Sequence, residues 1–267
     1  MALGRYKTAG EILNDAAMEL GLITTPDPDP VASTDEQLVR LRTSLKAAGQ
    51  DLAANHLWRN LIVEAVLTKT GGVWTLPSGW SEASTDVLDL PPDWAGMVRS
   101  TGWDRSNQRE LTNLNVQEWQ YNQAATGSPV WAQVRLDTNQ MRLLPTPLAD
   151  CTLALEYKSR AWVRPAFVEG GGGGGGLGNG NTLGVLGYDE PSASGDFVLF
   201  DRALIVAAVK LRWKREAGFD TTTAEQDALR ALNGAKNQQT ERRILDLSPR
   251  PNRSQFVGLD NLPEGNW

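Results

Sequence analysis

His56 is the only histidine of the chain and Cys151 its only cysteine, so the chemistry open to it is narrow from the start. One imidazole does not make a metal cluster, and no Ser or Cys carries the local signature of an activated nucleophile to pair with it. His56 reads as a polar residue near a helix end. Cys151 opens an alternating stretch and reads as a small core hydrophobe. Asp27 and Asp29 alternate with Pro26, Pro28 and Pro30. Those prolines forbid the turns of a calcium loop, and no glycine and closing glutamate follow at the spacing such a loop needs. The 32 acidic residues supply many carboxylate pairs, but nothing in their order sets two at the separation that glycoside hydrolysis requires. Residues 170–176 are an unbroken run of glycine. The run lacks the Gly-Lys-Ser/Thr ending of a phosphate loop, and no helix follows to aim a dipole at an anion. The sequence therefore predicts no catalytic, cofactor-binding or metal-binding set, and no enzyme.

Ten tryptophans are the remaining chemical resource, and Trp74, Trp80, Trp94, Trp103, Trp119 and Trp131 punctuate the middle of the chain. A row of exposed indoles would stack on sugars or on single-stranded nucleic acid. No regular Lys or Arg is interleaved with them, which argues against nucleic acid. Packing in a core or an interface is the reading preferred over sugar binding.

The elements that must position these residues follow an order: two helices, a strand-rich middle, two helices. Thr8 and Glu11 form a capping box, and Ile12, Leu13, Ala16, Ala17 and Leu20 give a helical stripe that Gly21 ends. The Pro-Asp stretch to Pro30 is an extended connector. Thr34 and Gln37 open a second helix over about 35–58. On it Leu38, Leu41, Leu45, Ala48 and Leu52 recur in steps of three and four, a narrow seam for packing against another helix. Thr70-Gly71-Gly72 joins a hairpin of 61–67 and 73–76. Further strands are expected over 87–90, 96–103, 130–134, 141–144 and 152–157, with Asn115 and Glu118 capping a short helix among them. The glycine run is a flexible spacer. Residues 197–217 resume the helical period up to Gly218. Thr223 and Gln226 begin a last helix that carries Leu229, Leu232, Ala235, Ile244 and Leu245.

The fold class so predicted is α+β: an antiparallel helical bundle from both chain ends with an inserted β-rich domain. Its parts are 1–60 and 197–247 for the bundle, 61–165 for the insertion, 166–196 for the Gly-rich loop and 248–267 for an extended tail. The 267 residues are 40% hydrophobic and 22% charged with a formal net charge of −6. That composition suits a folded protein without a general affinity for phosphate. The longest apolar run, 204–209, is too short to span a bilayer, and the first residues lack an apolar signal core. A soluble protein of a cytoplasm is expected.

Certain motifs, taken in order, carry a resemblance. Leu57-Trp58-Arg59 ends a long helix, and Trp74-Thr75-Leu76-Pro77 ends a hairpin. Leu90-Pro91-Pro92-Asp93-Trp94, Glu118-Trp119 and Gly127-Ser128-Pro129-Val130-Trp131 follow. Met141-Arg142-Leu143-Leu144-Pro145-Thr146-Pro147 and Leu153-Ala154-Leu155-Glu156-Tyr157-Lys158 close the β segment, and Leu211-Arg212-Trp213-Lys214-Arg215 lies in the helix beyond. Over residues 10–247 this succession resembles the head-to-tail adaptors of short-tailed bacteriophages, the relatives of the tail tubular protein A. The resemblance implies a structural virion protein, assembled in a bacterial cytoplasm. It would form a homo-oligomeric ring of about twelve subunits that joins the portal to the tail nozzle and passes genomic DNA through its channel.

On that reading Leu38, Leu41, Leu45 and Leu52 form the ring-packing seam of the helix wall. Arg250, Arg253, Phe256 and Trp267 lie in a terminal segment that orders on a partner and docks on the portal. Another neck or tail component, a stopper or nozzle subunit, is the nearest rival. A Trp-rich carbohydrate-binding or hydrolytic tail protein is the rival from a different class.

Overall fold

The computed structural model describes residues 6–124, 131–146, 148–166 and 187–239. Thr8 starts α1 (Ala9–Glu19) with the reciprocal cap that the sequence predicts. Its hydroxyl accepts from the Glu11 N–H at 3.2 Å, and the Glu11 carboxylate accepts from the Thr8 N–H at 3.0 Å. Helix α2 (Glu36–Asn55) is capped by Asp35 instead of the expected Thr34. The Asp35 carboxylate accepts from the N–H groups of Gln37 and Leu38. A charged acceptor at that position also gains from the helix dipole. A 3-10 turn, Arg59–Leu61, then feeds the strands.

Strands β1 (Ile62–Thr70) and β2 (Val73–Thr75) form the expected hairpin. Gly71 and Gly72 both take positive φ there, 58° and 80°, as a two-residue turn of this hand requires. The chain continues through β3 (Ser81–Ser84), β4 (Val87–Asp89) and β5 (Trp94–Met97) to β6 (Trp103–Asp104), β7 (Arg109–Glu110) and β8 (Thr112–Asn113). The strand expected over 96–103 is in fact two, β5 and β6, because the backbone turns through a left-handed Ser100 (φ 60°). Helix α3 (Val116–Ala124) has the Asn115–Glu118 reciprocal cap. After it come β9 (Gln133–Leu136), β10 (Gln140–Leu144), β11 (Cys151–Ser159), β12 (Val163–Arg164) and β13 (Phe197–Val198). Helices α4 (Arg202–Ala217) and α5 (Thr222–Gln239) follow, with a left-handed Gly218 (φ 74°) between them.

Strands β2, β1, β11, β6 and β7 lie in that order in one sheet, with β5 also on β11. Strands β3, β4, β10, β9 and β8 make a second sheet, and β12 pairs with β13. The longest ladder is antiparallel β1–β11, running from Ile62 opposite Lys158 to Lys69 opposite Cys151. Val63, Ala65, Leu67, Leu88, Met141, Leu143, Leu153 and Leu155 fill the core of this β region together with Trp74, Trp80 and Trp94. Apolar burial of this kind is the main drive for bringing the two sheets together.

The expected antiparallel helical bundle from both chain ends is not what the chain forms. Among the described residues the fold is mixed, with five α-helices, thirteen strands in three sheets, and a β-rich centre. The physical reason lies in what the helices bury. The core shared by α1, α2 and α4 also takes in Leu61 of the 3-10 turn and Trp58 that precedes it, and Trp162, Val163, Val198 and Phe200 from the smallest sheet and its flanks. Phe197 and Val198 are strand where the helical period predicted helix, so α4 starts only at Arg202, capped by Asp201. Helix α5 buries only Ala224 and Ala235. A self-contained bundle would bury an apolar stripe on every helix.

Candidate interaction surface

Helices α2, α4 and α5 leave an open groove of about 770 Å³ between them. Leu52, Ala208, Leu211, Leu229 and Leu232 give it an apolar lining, and Leu229 is 58% exposed. The charges beside them are already matched. Arg212 holds Asp51 at 2.5 Å and Glu216 at 3.3 Å, and Arg215 holds Glu225 at 3.0 Å. A groove with apolar walls and internally paired charges suits an apolar partner surface better than a small anion.

His56 lines the same groove and follows α2 as its C-cap residue. Its ring sits edge-on to Trp58, with centroids 4.7 Å apart. Burial holds its pKa below the ordinary value, and the charges of Lys236 and Lys158 add to the effect. Lys158 donates to the Ala54 carbonyl at 2.8 Å, so a strand of the β region satisfies an orphan carbonyl at the end of α2. His56 is thus placed as the sequence suggests, a polar residue at a helix end.

The predicted seam residues are accounted for within one chain. Leu38, Leu41 and Leu45 are 2%, 0% and 0% exposed in the core that α2 shares with α1 and α4. Leu52 is half-buried at the groove. The first three serve this chain's own interior, so a neighbour cannot reach them without opening that core. The docking residues Arg250, Arg253, Phe256 and Trp267 lie outside the described residues, as do the glycine run and Ile244 and Leu245.

Cys151 is buried, and its thiol is pushed up to about 11, chiefly by burial and next by Asp104. Asp27 and Asp29 close a local turn in which the Asp27 carboxylate accepts from the Asp29 N–H. Among the described residues no group of three or more His, Cys, Asp or Glu is placed to hold a metal ion. No described helix is long and apolar enough to cross a membrane.

The tryptophans are mostly interior. Trp58, Trp74, Trp80, Trp94, Trp119 and Trp162 are buried, while Trp103 and Trp131 are 41% and 44% exposed. The Arg109 guanidinium lies 3.8 Å from the centroid of the Trp131 ring and covers one of its faces. Trp94 stacks on Tyr157 at 4.9 Å, with Trp80 edge-on to it. Beneath them the Asp93 carboxylate accepts from the Ser159 hydroxyl at 2.6 Å.

Two features emerge only from tertiary contacts. Leu211 of α4 and Leu229 and Leu232 of α5 lie in helices that the sequence predicts, but only the packing of α2, α4 and α5 makes them the lining of one groove. Lys69 occupies an inward position of β1 after Val63, Ala65 and Leu67, and the break in that apolar alternation was the available signal. Comparison of the chain with family models and with curated proteins finds no match.

Proposed function

We propose that this chain is a structural subunit of a bacteriophage neck. On this reading it is a head-to-tail adaptor that assembles into a ring, joins the portal to the tail nozzle and continues the DNA channel. The observation that carries the reading is the ordered succession of motifs from Leu57-Trp58-Arg59 through the β region to Leu211-Arg212-Trp213-Lys214-Arg215. Two physical features support it, the groove and the net charge. The open groove between α2, α4 and α5 is an apolar surface of the kind assembly covers. A head-to-tail contact between copies that closes on itself makes a ring. The net charge of −6 lets DNA pass without being held through its phosphates. With the leucine seam taken up by the chain's own core, the proposal places lateral contacts on the groove and on the outer faces of α4 and α5. It keeps the β region for a neighbour or the tail, and residues 248–267 for the portal.

The test is to mix the purified chain with its cognate portal and follow assembly by native mass spectrometry and electron microscopy. Rings stacked on the portal are expected, and removing the residues after Ser248 should weaken attachment. A chain that stays strictly monomeric in the presence of the portal overturns the proposal.

A further inference from the structure

Lys69 interrupts an apolar series, and its amine end is enclosed. Its side chain is 4% exposed and that of Asp86 0%, with Nζ 2.5 Å from the Asp86 Oδ1. The Trp74 ring lies 5.5 Å from the same nitrogen. Asp86 is held from several sides: its backbone is left-handed (φ 59°), and its carbonyl accepts from the Leu143 N–H at 2.9 Å. Its Oδ2 accepts from the Leu148 N–H at 2.6 Å. A buried ion pair of this kind is costly to desolvate. For the amine to react, one proton must first pass from Nζ to the carboxylate oxygen it touches.

We propose that Lys69 and Asp86 condense to an intramolecular isopeptide bond. The Nζ lone pair attacks the Asp86 Cγ, and the N–Cγ bond forms as the C–OH bond breaks. One amine proton leaves with the hydroxyl as water, and an amide remains. No oxidant, metal or second substrate is consumed. The fold supplies what the step requires: the partners are held in contact, which replaces an encounter by an intramolecular reaction. The Leu148 N–H is aimed at the carboxyl oxygen on which negative charge develops during attack. Enclosure excludes the water that would favour the separated ions. Cys151 faces Lys69 across the ladder, but it is the Lys69 nitrogen that contacts the Asp86 carboxylate. The bond would tie β1 of the six-stranded sheet to the turn between β3 and β4 of the five-stranded sheet, a covalent link between the two. This inference stands apart from the adaptor reading and survives its failure.

The test is the mass of the full chain, denatured and reduced, compared with that of Lys69→Met. After allowance for the substitution, the wild-type chain should be lighter by one water. Cleavage after Glu82, which lies between the two residues, should leave two fragments joined through Lys69 and Asp86. Wild-type protein that keeps its full mass and separates into two free fragments overturns the proposal. The decision rests on the wild-type protein, so a variant that folds poorly does not obscure it.

Discussion

Gly49 of α2 sits against the indole of Trp162, and replacing it with alanine sets two effects against each other. A Cβ at this position would meet the Trp162 ring carbons at 2.3 Å. Trp162 is 0% exposed and stacks on Phe200 with ring centroids 6.0 Å apart, so it has no open side to move into. Alanine in a helix interior is favoured over glycine by about 1 kcal/mol. Overpacking a closed core costs about 1–3 kcal/mol, and the upper end applies because rigid ring atoms meet the new methyl. The overlap wins, and Gly49→Ala should lose about 2 kcal/mol, roughly thirtyfold in the folded-to-unfolded ratio.

Urea unfolding followed by tryptophan fluorescence reads this as a lower midpoint with an unchanged slope. A second substitution isolates the cause. Trp162→Phe shrinks the ring and removes an indole N–H that finds no acceptor, a group whose burial is itself unfavourable. In combination the two changes should be less harmful than their sum, with a coupling of about 1 kcal/mol or more. A Gly49→Ala protein as stable as the wild type would refute the reasoning, and strictly additive effects would show that the ring contact is not the cause.

Two further outcomes follow from the same structure. Asp35→Ala should cost about 1 kcal/mol through loss of the α2 cap, whereas Thr34→Ala should be near neutral, and equal losses in thermal unfolding would contradict the capping geometry. His56 has a folded pKa below its ordinary 6.5, so as pH falls through 6.5 the unfolded chain takes up a proton before the folded one does. Stability should therefore be flat in this term above that value and decline below it, down to the folded pKa. His56→Gln should flatten that decline in urea titrations at stepped pH, and an unchanged slope would count against the burial of the ring.

Local structure was legible wherever one residue decides it. The Thr8–Glu11 cap, the Gly71-Gly72 turn, the Asn115–Glu118 cap and the stop at Gly218 need only neighbouring atoms, and the chain writes them out. Period-2 and period-3.6 patterns likewise located α1, α2, β1 and β11. The start of α4 is not legible, because Phe197 and Val198 fit a helical stripe, yet their backbone is claimed by β12, whose Val163 and Arg164 lie far away in sequence. Leu38, Leu41 and Leu45 form the expected apolar stripe, and which surface covers it, here the core shared with α1 and α4, depends on distant segments.

By itself, then, the sequence determined the caps of α1 and α3, the turns and the apolar faces, because these depend on residues within a few positions of one another. It also determined the poverty in His and Cys that narrows the chemistry. Tertiary structure alone decided the rest. It set which stripe becomes interior and which becomes a groove, replaced the expected bundle by a mixed fold with a β-rich centre, and brought Lys69 against Asp86. The reason is that burial and pairing are properties of contacts between distant segments. The same leucine or lysine in the same local pattern is core, surface or buried ion-pair partner according to what the rest of the chain lays over it.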